Sequence, residues 1–160
     1  MKTTRPPSPP PSPALGRGSD LLSLAARLIV GGVLCYAGFL KAVAPSAEFA
    51  AAIEAYHLFP TYMLDPIAFA LPWIEMWIGI FLVAGFLVRP AAAAASALFV
   101  LFLGVVGSAL ARGIDLSSCG CFGTDLFSPR HTLIMDAGLL LISLALVVLK
   151  PRKHPLALDY

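Results

Sequence analysis

Charge is what this chain has least of. Aspartate, glutamate, lysine and arginine make up 12% of its 160 residues, against 59% hydrophobic side chains and a mean hydropathy of +0.86. A water-soluble domain needs far more polar residues to cover its surface, so that class is excluded and a membrane class indicated. The net charge is only +2 and the basic residues form no patch, which excludes a nucleic-acid partner and leaves membrane lipid as the first one. Cysteine is also scarce. Cys35, Cys119 and Cys121 make one pair with one left over, not a disulfide framework. No second Cys/His pair has zinc-site spacing, so no metal ligands are assigned.

What is present is apolar and long. Four stretches, at about 21–40, 65–88, 91–112 and 132–150, each run to roughly 19–24 residues, enough at ~1.5 Å per residue to cross a ~30 Å hydrocarbon layer. Barrel strands would be half as long and would alternate in polarity. The expected fold is all-α: a four-helix transmembrane bundle over residues 20–150. Residues 1–19, with the run Pro6-Pro7-Ser8-Pro9-Pro10-Pro11-Ser12-Pro13, are expected to be a disordered cytoplasmic tail, and 151–160 a second one. Ala42-Val43-Ala44 resembles a signal-peptide cleavage site. Lys41 before it and Pro45 after it argue for a retained helix instead.

Orientation follows from the basic residues. With both termini in the cytoplasm, that side holds Lys2, Arg5, Arg17, Arg27, Arg89, Lys150, Arg152 and Lys153, eight of the eleven. Lys41, Arg112 and Arg130 fall on the other side. The positive-inside rule therefore predicts a bacterial inner-membrane protein with loops 41–64 and 113–131 outside. The turn around Arg89-Pro90 is short, so the second and third spans are expected to be antiparallel neighbours. In the first outer loop, Pro45-Ser46 reads as a helix start, and Phe49, Ile53 and Tyr56 share one face. A short amphipathic helix over 46–58, covering the mouth of the bundle, fits that spacing.

The second outer loop carries Ser117-Ser118-Cys119-Gly120-Cys121-Phe122-Gly123. Two thiols one residue apart, on an oxidising face, point to disulfide chemistry. So small a ring forms only where the backbone bends, which Gly120 permits. A bridge closed that tightly carries strain, and strained bridges are the reducible, catalytic ones. An inert bridge pinning the loop and a soft-metal site, with Cu(I) between two thiolates, are the alternatives. Arg112, Arg130 and Lys41 are the cations available to favour a thiolate.

Buried charge is the other clue, because an ionisable residue in a span is costly unless paired or wet. Glu75 lies about ten residues into the second stretch, Asp136 about one turn into the fourth, and Lys41 closes the first. All three fall in the outer half of the bundle, where Lys41 with Glu75 or Asp136 is the natural ion pair. Arg27, Gly31, Cys35, Gly38 and Lys41 step by four, four, three and three, placing a small and polar stripe on one face of the first helix. Arg27 is expected to snorkel to the headgroups. Cys35 is a candidate third, resolving thiol. Pro72 and Gly79, on the side of Glu75, predict a kink or a close approach.

Gly38-Phe39-Leu40-Lys41, Leu71-Pro72-Trp73-Ile74-Glu75, Cys119-Gly120-Cys121-Phe122-Gly123 and the early acidic residue Asp136 together resemble the MauE branch of the MauE/DoxX family of small four-helix bacterial membrane proteins. The resemblance covers about residues 22–150. It implies a redox-associated protein of methylamine metabolism that assists maturation of exported disulfide-containing proteins such as methylamine dehydrogenase. Cys119 and Cys121 would be the catalytic thiols of a thiol–disulfide oxidoreductase, and Lys41, Glu75 and Asp136 a supporting polar network. The partner implied is an exported thioredoxin-like or cysteine-containing protein, and the candidate cofactor in the membrane is a quinone. A non-enzymatic maturation or assembly partner is the alternative reading.

Overall fold

The computed structural model describes the backbone of residues 13–113 and 129–148, with side chains from 20 to 113 and from 130 to 148. Five α-helices follow one another: α1 Pro13–Val43, α2 Ser46–Glu54, α3 Leu64–Ala84, α4 Val88–Ala111 and α5 Pro129–Val148, with a 3₁₀ turn at Thr61–Met63 leading into α3. Helix α1 reaches back to Pro13, into the stretch expected to be an extended tail. Proline suits a first helical position because its missing N–H has no partner there in any case.

Four of these helices contain apolar spans, Asp20–Val43, Thr61–Ala84, Val88–Ala111 and Arg130–Val148, each long enough to cross a bilayer. Only 28–33% of the most apolar part of each span is buried within the bundle. The remainder presents large side chains such as Tyr36, Phe69, Trp77, Leu101 and Leu141 outward. Water would not tolerate that much exposed apolar surface, and hydrocarbon does. The chain is a multi-pass membrane protein. Helix α1 packs most closely on α3 and α4 on α5, while α3–α4 and α1–α5 contacts close the ring. At its centre lie Val30, Leu34, Leu82, Ala95, Phe99 and Leu139.

The α1–α3 seam shows how the sequence sets the packing. Every member of the stepped stripe on α1 faces α3. A Cβ on Gly31 would lie 2.8 Å from the Gly79 carbonyl oxygen, one on Gly38 2.7 Å from that of Pro72, and one on Gly79 2.6 Å from Cys35 Sγ. The backbones touch, and only residues lacking a side chain allow it. At one end of the seam, Arg27 Nε donates a hydrogen bond of 3.1 Å to the Leu82 carbonyl. This is the C-terminus of α3, where Gly85 takes a left-handed conformation (φ 76°) and the Gly85 and Phe86 amides bond back to Leu82 and Phe81. A cation there complements the helix dipole. Arg27 is therefore docked on a neighbouring helix end rather than reaching for headgroups.

Gly85 also moves the turn. The expected break at Arg89-Pro90 lies instead at Gly85–Leu87, and Pro90 sits in the first turn of α4, where no intrahelical N–H bond is lost. A second contact fixes α4 to α5: Ser96 Oγ and Ser143 Oγ lie 2.8 Å apart, both buried. Hydroxyl pairs of this kind hold apolar helices together by about 0.6 kcal/mol.

Because Gly38 lies opposite Pro72, α1 ends below the start of α3 and leaves the first turns of α3 uncovered on that side. Helix α2 fills the step: Ala50 and Ile53 pack against Leu64 and Ala68. The amphipathic expectation over 46–58 becomes a helix to Glu54 and a turn through His57, whose φ is 50°. Pro45, not Ser46, occupies the N-cap, with no side-chain cap hydrogen bond.

Candidate functional site

Below α2, all four spanning helices contribute to one pocket, mostly apolar, into which three ionisable side chains project. Lys41 of α1 donates from Nζ to both carboxylate oxygens of Glu75 on α3, at 2.6 and 2.8 Å. The two side chains are 3% and 0% exposed, so the pair is closed off from solvent. Phe49 of α2 and Phe102 of α4 lie on either hand, with Nζ 5.5 and 5.3 Å from their ring centroids. Aromatic faces stabilise a desolvated cation without adding a charge. Glu75 shares its buried face of α3 with Pro72 and Gly79, at helical spacing, so the close seam that brings α1 inward also delivers Lys41 to the carboxylate.

Asp136 of α5 faces the same pocket. Lys41, Glu75 and Asp136 line a cavity of about 20 Å³ together with Leu34, Phe99 and Phe102. Asp136 is 4% exposed, and its Oδ2 has no hydrogen-bond partner among the described residues. Thr132, one turn nearer the start of α5, is 1% exposed and its Oγ1 is also unpartnered. One ammonium group thus faces two carboxyl groups, and the direct bonds go to one of them.

Cys35 is a half-buried free thiol within the α1–α3 seam, its Sγ 3.8 Å from the Met76 carbonyl oxygen it donates to. Cys119 and Cys121 lie outside the described residues, as does the motif around them. Their flanks are visible. Helix α4 closes at Ala111 and α5 opens at Pro129, both at the end of the bundle where α2 lies. There Arg112 Nη2 donates 2.6 Å to the Tyr56 carbonyl oxygen while its Nε donates 3.2 Å to Ser108, so one guanidinium caps α4 and ties down the segment after α2. Tyr56 itself packs on Val106 and Ala109. Of the three cations available to a thiolate, Lys41 is taken by Glu75 and Arg112 by backbone carbonyls, while Arg130 is exposed at the start of α5.

Sequence reasoning had no hold on Arg112–Tyr56, Ser96–Ser143, Thr132 or the aromatic pair around Lys41. For Thr132 a signal existed: it stands four residues before Asp136, on the same helical face.

The sequence model of the family described as "Methylamine utilisation protein MauE" matches residues 19–149. The chain is similar to the methylamine utilization protein MauE of Paracoccus denitrificans, at 32% identity over 101 residues, covering 63% of this chain and 54% of that protein. It is 34% identical over 100 residues to the MauE protein of Methylophilus methylotrophus, covering 62% and 52%. With the MauE protein of Methylorubrum extorquens the figures are 33% over 106 residues, 65% and 57%. The chain spans about half the length of the curated relatives it matches. No solved structure matches it. The family match takes in all four spans, the Lys41–Glu75 pair, Asp136 and the cysteine motif, and the chain belongs to the MauE family.

Proposed function

We propose that this chain is a membrane thiol–disulfide redox protein that assists the maturation of exported disulfide-containing proteins in methylamine utilisation. The observation that carries the reading is the position of Cys119-Gly120-Cys121. It lies inside the family-matched region, on the connection between α4 and α5, whose described ends stand beside α2. The name borne by the relatives supplies the metabolic setting. The distribution of lysine and arginine supports an orientation with both termini in the cytoplasm of a bacterial inner membrane and the α4–α5 connection on the oxidising side.

In this mechanism a thiolate from the pair attacks a partner's disulfide sulfur. A mixed disulfide forms as the partner's other sulfur leaves as a thiolate. The second thiol of the pair then attacks the mixed disulfide, closing the Cys119–Cys121 bridge and releasing the partner reduced; the reverse sequence oxidises a partner dithiol. The two electrons stay with the sulfur atoms throughout, and Gly120 gives the backbone the freedom that so small a ring needs. The bundle's share is a rigid support: the Gly–Cys seam and the Lys41–Glu75 pair fix α1 against α3, and the Arg112 clamp fixes the end of α4 from which the motif departs. The test is trapping. Cys119→Ala or Cys121→Ala, expressed with its exported partners, is expected to accumulate a mixed disulfide visible on non-reducing gels. A Cys119→Ser/Cys121→Ser double variant that retains full maturation activity would contradict the reading and leave an assembly role in its place.

A further inference from the structure

The cavity beside the Lys41–Glu75 pair is unexplained by thiol exchange at the bundle's end. It lies inside the span, below α2, and its composition is unusual for a structural ion pair. A buried Lys–Glu pair is complete with two partners. Here Asp136 adds a second carboxyl group to the cavity lining, 96% shielded, and its buried Oδ2 has no partner among the described residues. An ammonium group has three N–H donors, and Glu75 takes two of those on Lys41. A cavity of about 20 Å³ exceeds the roughly 10–15 Å³ that one water needs. It is far too small for a ring-bearing ligand.

We propose that this cavity is an intramembrane proton-binding site, in which one water molecule joins Asp136 Oδ2 to the Lys41–Glu75 pair and Asp136 takes up and releases the proton. The water accepts the third N–H of Lys41 and donates to Oδ2, satisfying both. A proton delivered through that water forms an O–H bond on Asp136 and leaves the water intact; release reverses the step. One added proton makes a cluster of one ammonium and two carboxyl groups neutral, the composition that a low-dielectric interior accommodates at least cost. Thr132 Oγ1, ~6 Å nearer the start of α5, is also buried without a partner among the described residues.

The surroundings restrict what else can titrate there. Of titratable side chains, helix α1 presents Lys41 to the cavity and α3 presents Glu75; the other lining residues of α1 and α4, among them Ala37, Phe99 and Phe102, are uncharged. Glu48, Glu54 and His57 near α2, and Arg130 and His131 at the start of α5, are exposed.

Infrared difference spectroscopy on the full chain in lipid nanodiscs tests it. Carboxyl-¹³C aspartate labelling separates Asp136 from Glu75 without a substitution. The expected result is an aspartate-derived carboxylic acid C=O band that shifts in D₂O, fades reversibly as pH rises, disappears in Asp136→Asn and persists in Cys119→Ser/Cys121→Ser. Filling the cavity with Ala37→Leu, which leaves every polar group in place, is expected to slow the D₂O shift several-fold. Absence of an aspartate band, a band that fails to exchange or to fade, or one that survives Asp136→Asn overturns the proposal. An unchanged exchange rate in Ala37→Leu overturns the role of the water.

Discussion

Replacing Lys41 with methionine is the sharpest probe of how the bundle is held together. Methionine matches the length and apolar stem of lysine, so the change removes the charge and its two hydrogen bonds, at 2.6 and 2.8 Å, with little loss of volume. What remains is Glu75 with no exposed surface and Asp136 with almost none, and no cation between them. Breaking a buried pair by removing one partner costs about 3–5 kcal/mol, or roughly two to three and a half orders of magnitude in the folded population. Glu75→Gln is expected to cost at most half as much, because Asp136 lines the same cavity and offers Lys41 a second carboxylate. Lys41→Met/Glu75→Gln is expected to recover at least ~1 kcal/mol relative to Lys41→Met alone, since the two residues are directly coupled. Trp73 and Trp77, the chain's two tryptophans, flank Glu75 on α3 and give a fluorescence signal for reversible SDS unfolding in mixed micelles. A cost below ~1 kcal/mol for Lys41→Met, or a double variant equal to the sum of the singles, would refute the reasoning.

Three further outcomes follow from the packing. Gly79→Ala would drive a methyl group into Cys35 Sγ and the Gly31 carbonyl and is expected to destabilise by about 1–3 kcal/mol, while Gly32→Ala, which meets nothing within 4 Å, is expected to be neutral; the same unfolding assay separates them. Gly85→Ala places a Cβ on the Arg27 guanidinium at a left-handed position and is expected to cost about 1 kcal/mol or more, against a similar loss for Arg27→Ala, with the double variant less than additive. Arg112→Ala removes the guanidinium bond to the Tyr56 carbonyl, so limited proteolysis is expected to cut between α2 and the Thr61–Met63 turn several-fold faster than in the parent, with global stability nearly unchanged.

Much of this arrangement was legible in the chain because the bilayer imposes simple rules. Apolar length identified four spans, and the four-four-three-three stripe on α1 marked the face that meets α3. Depth along each helix brought Lys41, Glu75 and Asp136 to one level. Depth does not give azimuth, so the choice of Glu75 over Asp136 as the partner of Lys41 needed the packed bundle. Hydropathy averages over a turn or more, which is why it missed the stop at Gly85 and read Arg89-Pro90 as the break. A basic residue near a span end looks the same whether it snorkels or caps a neighbour, and Arg27 does the second. Serines in an apolar helix carry no sign of their partners, so Ser96–Ser143 was invisible. Short amphipathic segments reveal their face but not what they sit on; the step between α1 and α3 explains why α2 is there.

The central claim, that Cys119 and Cys121 exchange electrons with exported thiols, is tested most directly by the reduction potential of the pair. Protein reconstituted in lipid would be equilibrated in graded thiol–disulfide buffers and the free thiols counted by alkylation shift. The expected midpoint lies within the range of exchange proteins, between about −270 and −120 mV. A midpoint below about −300 mV, where structural bridges lie, would contradict it.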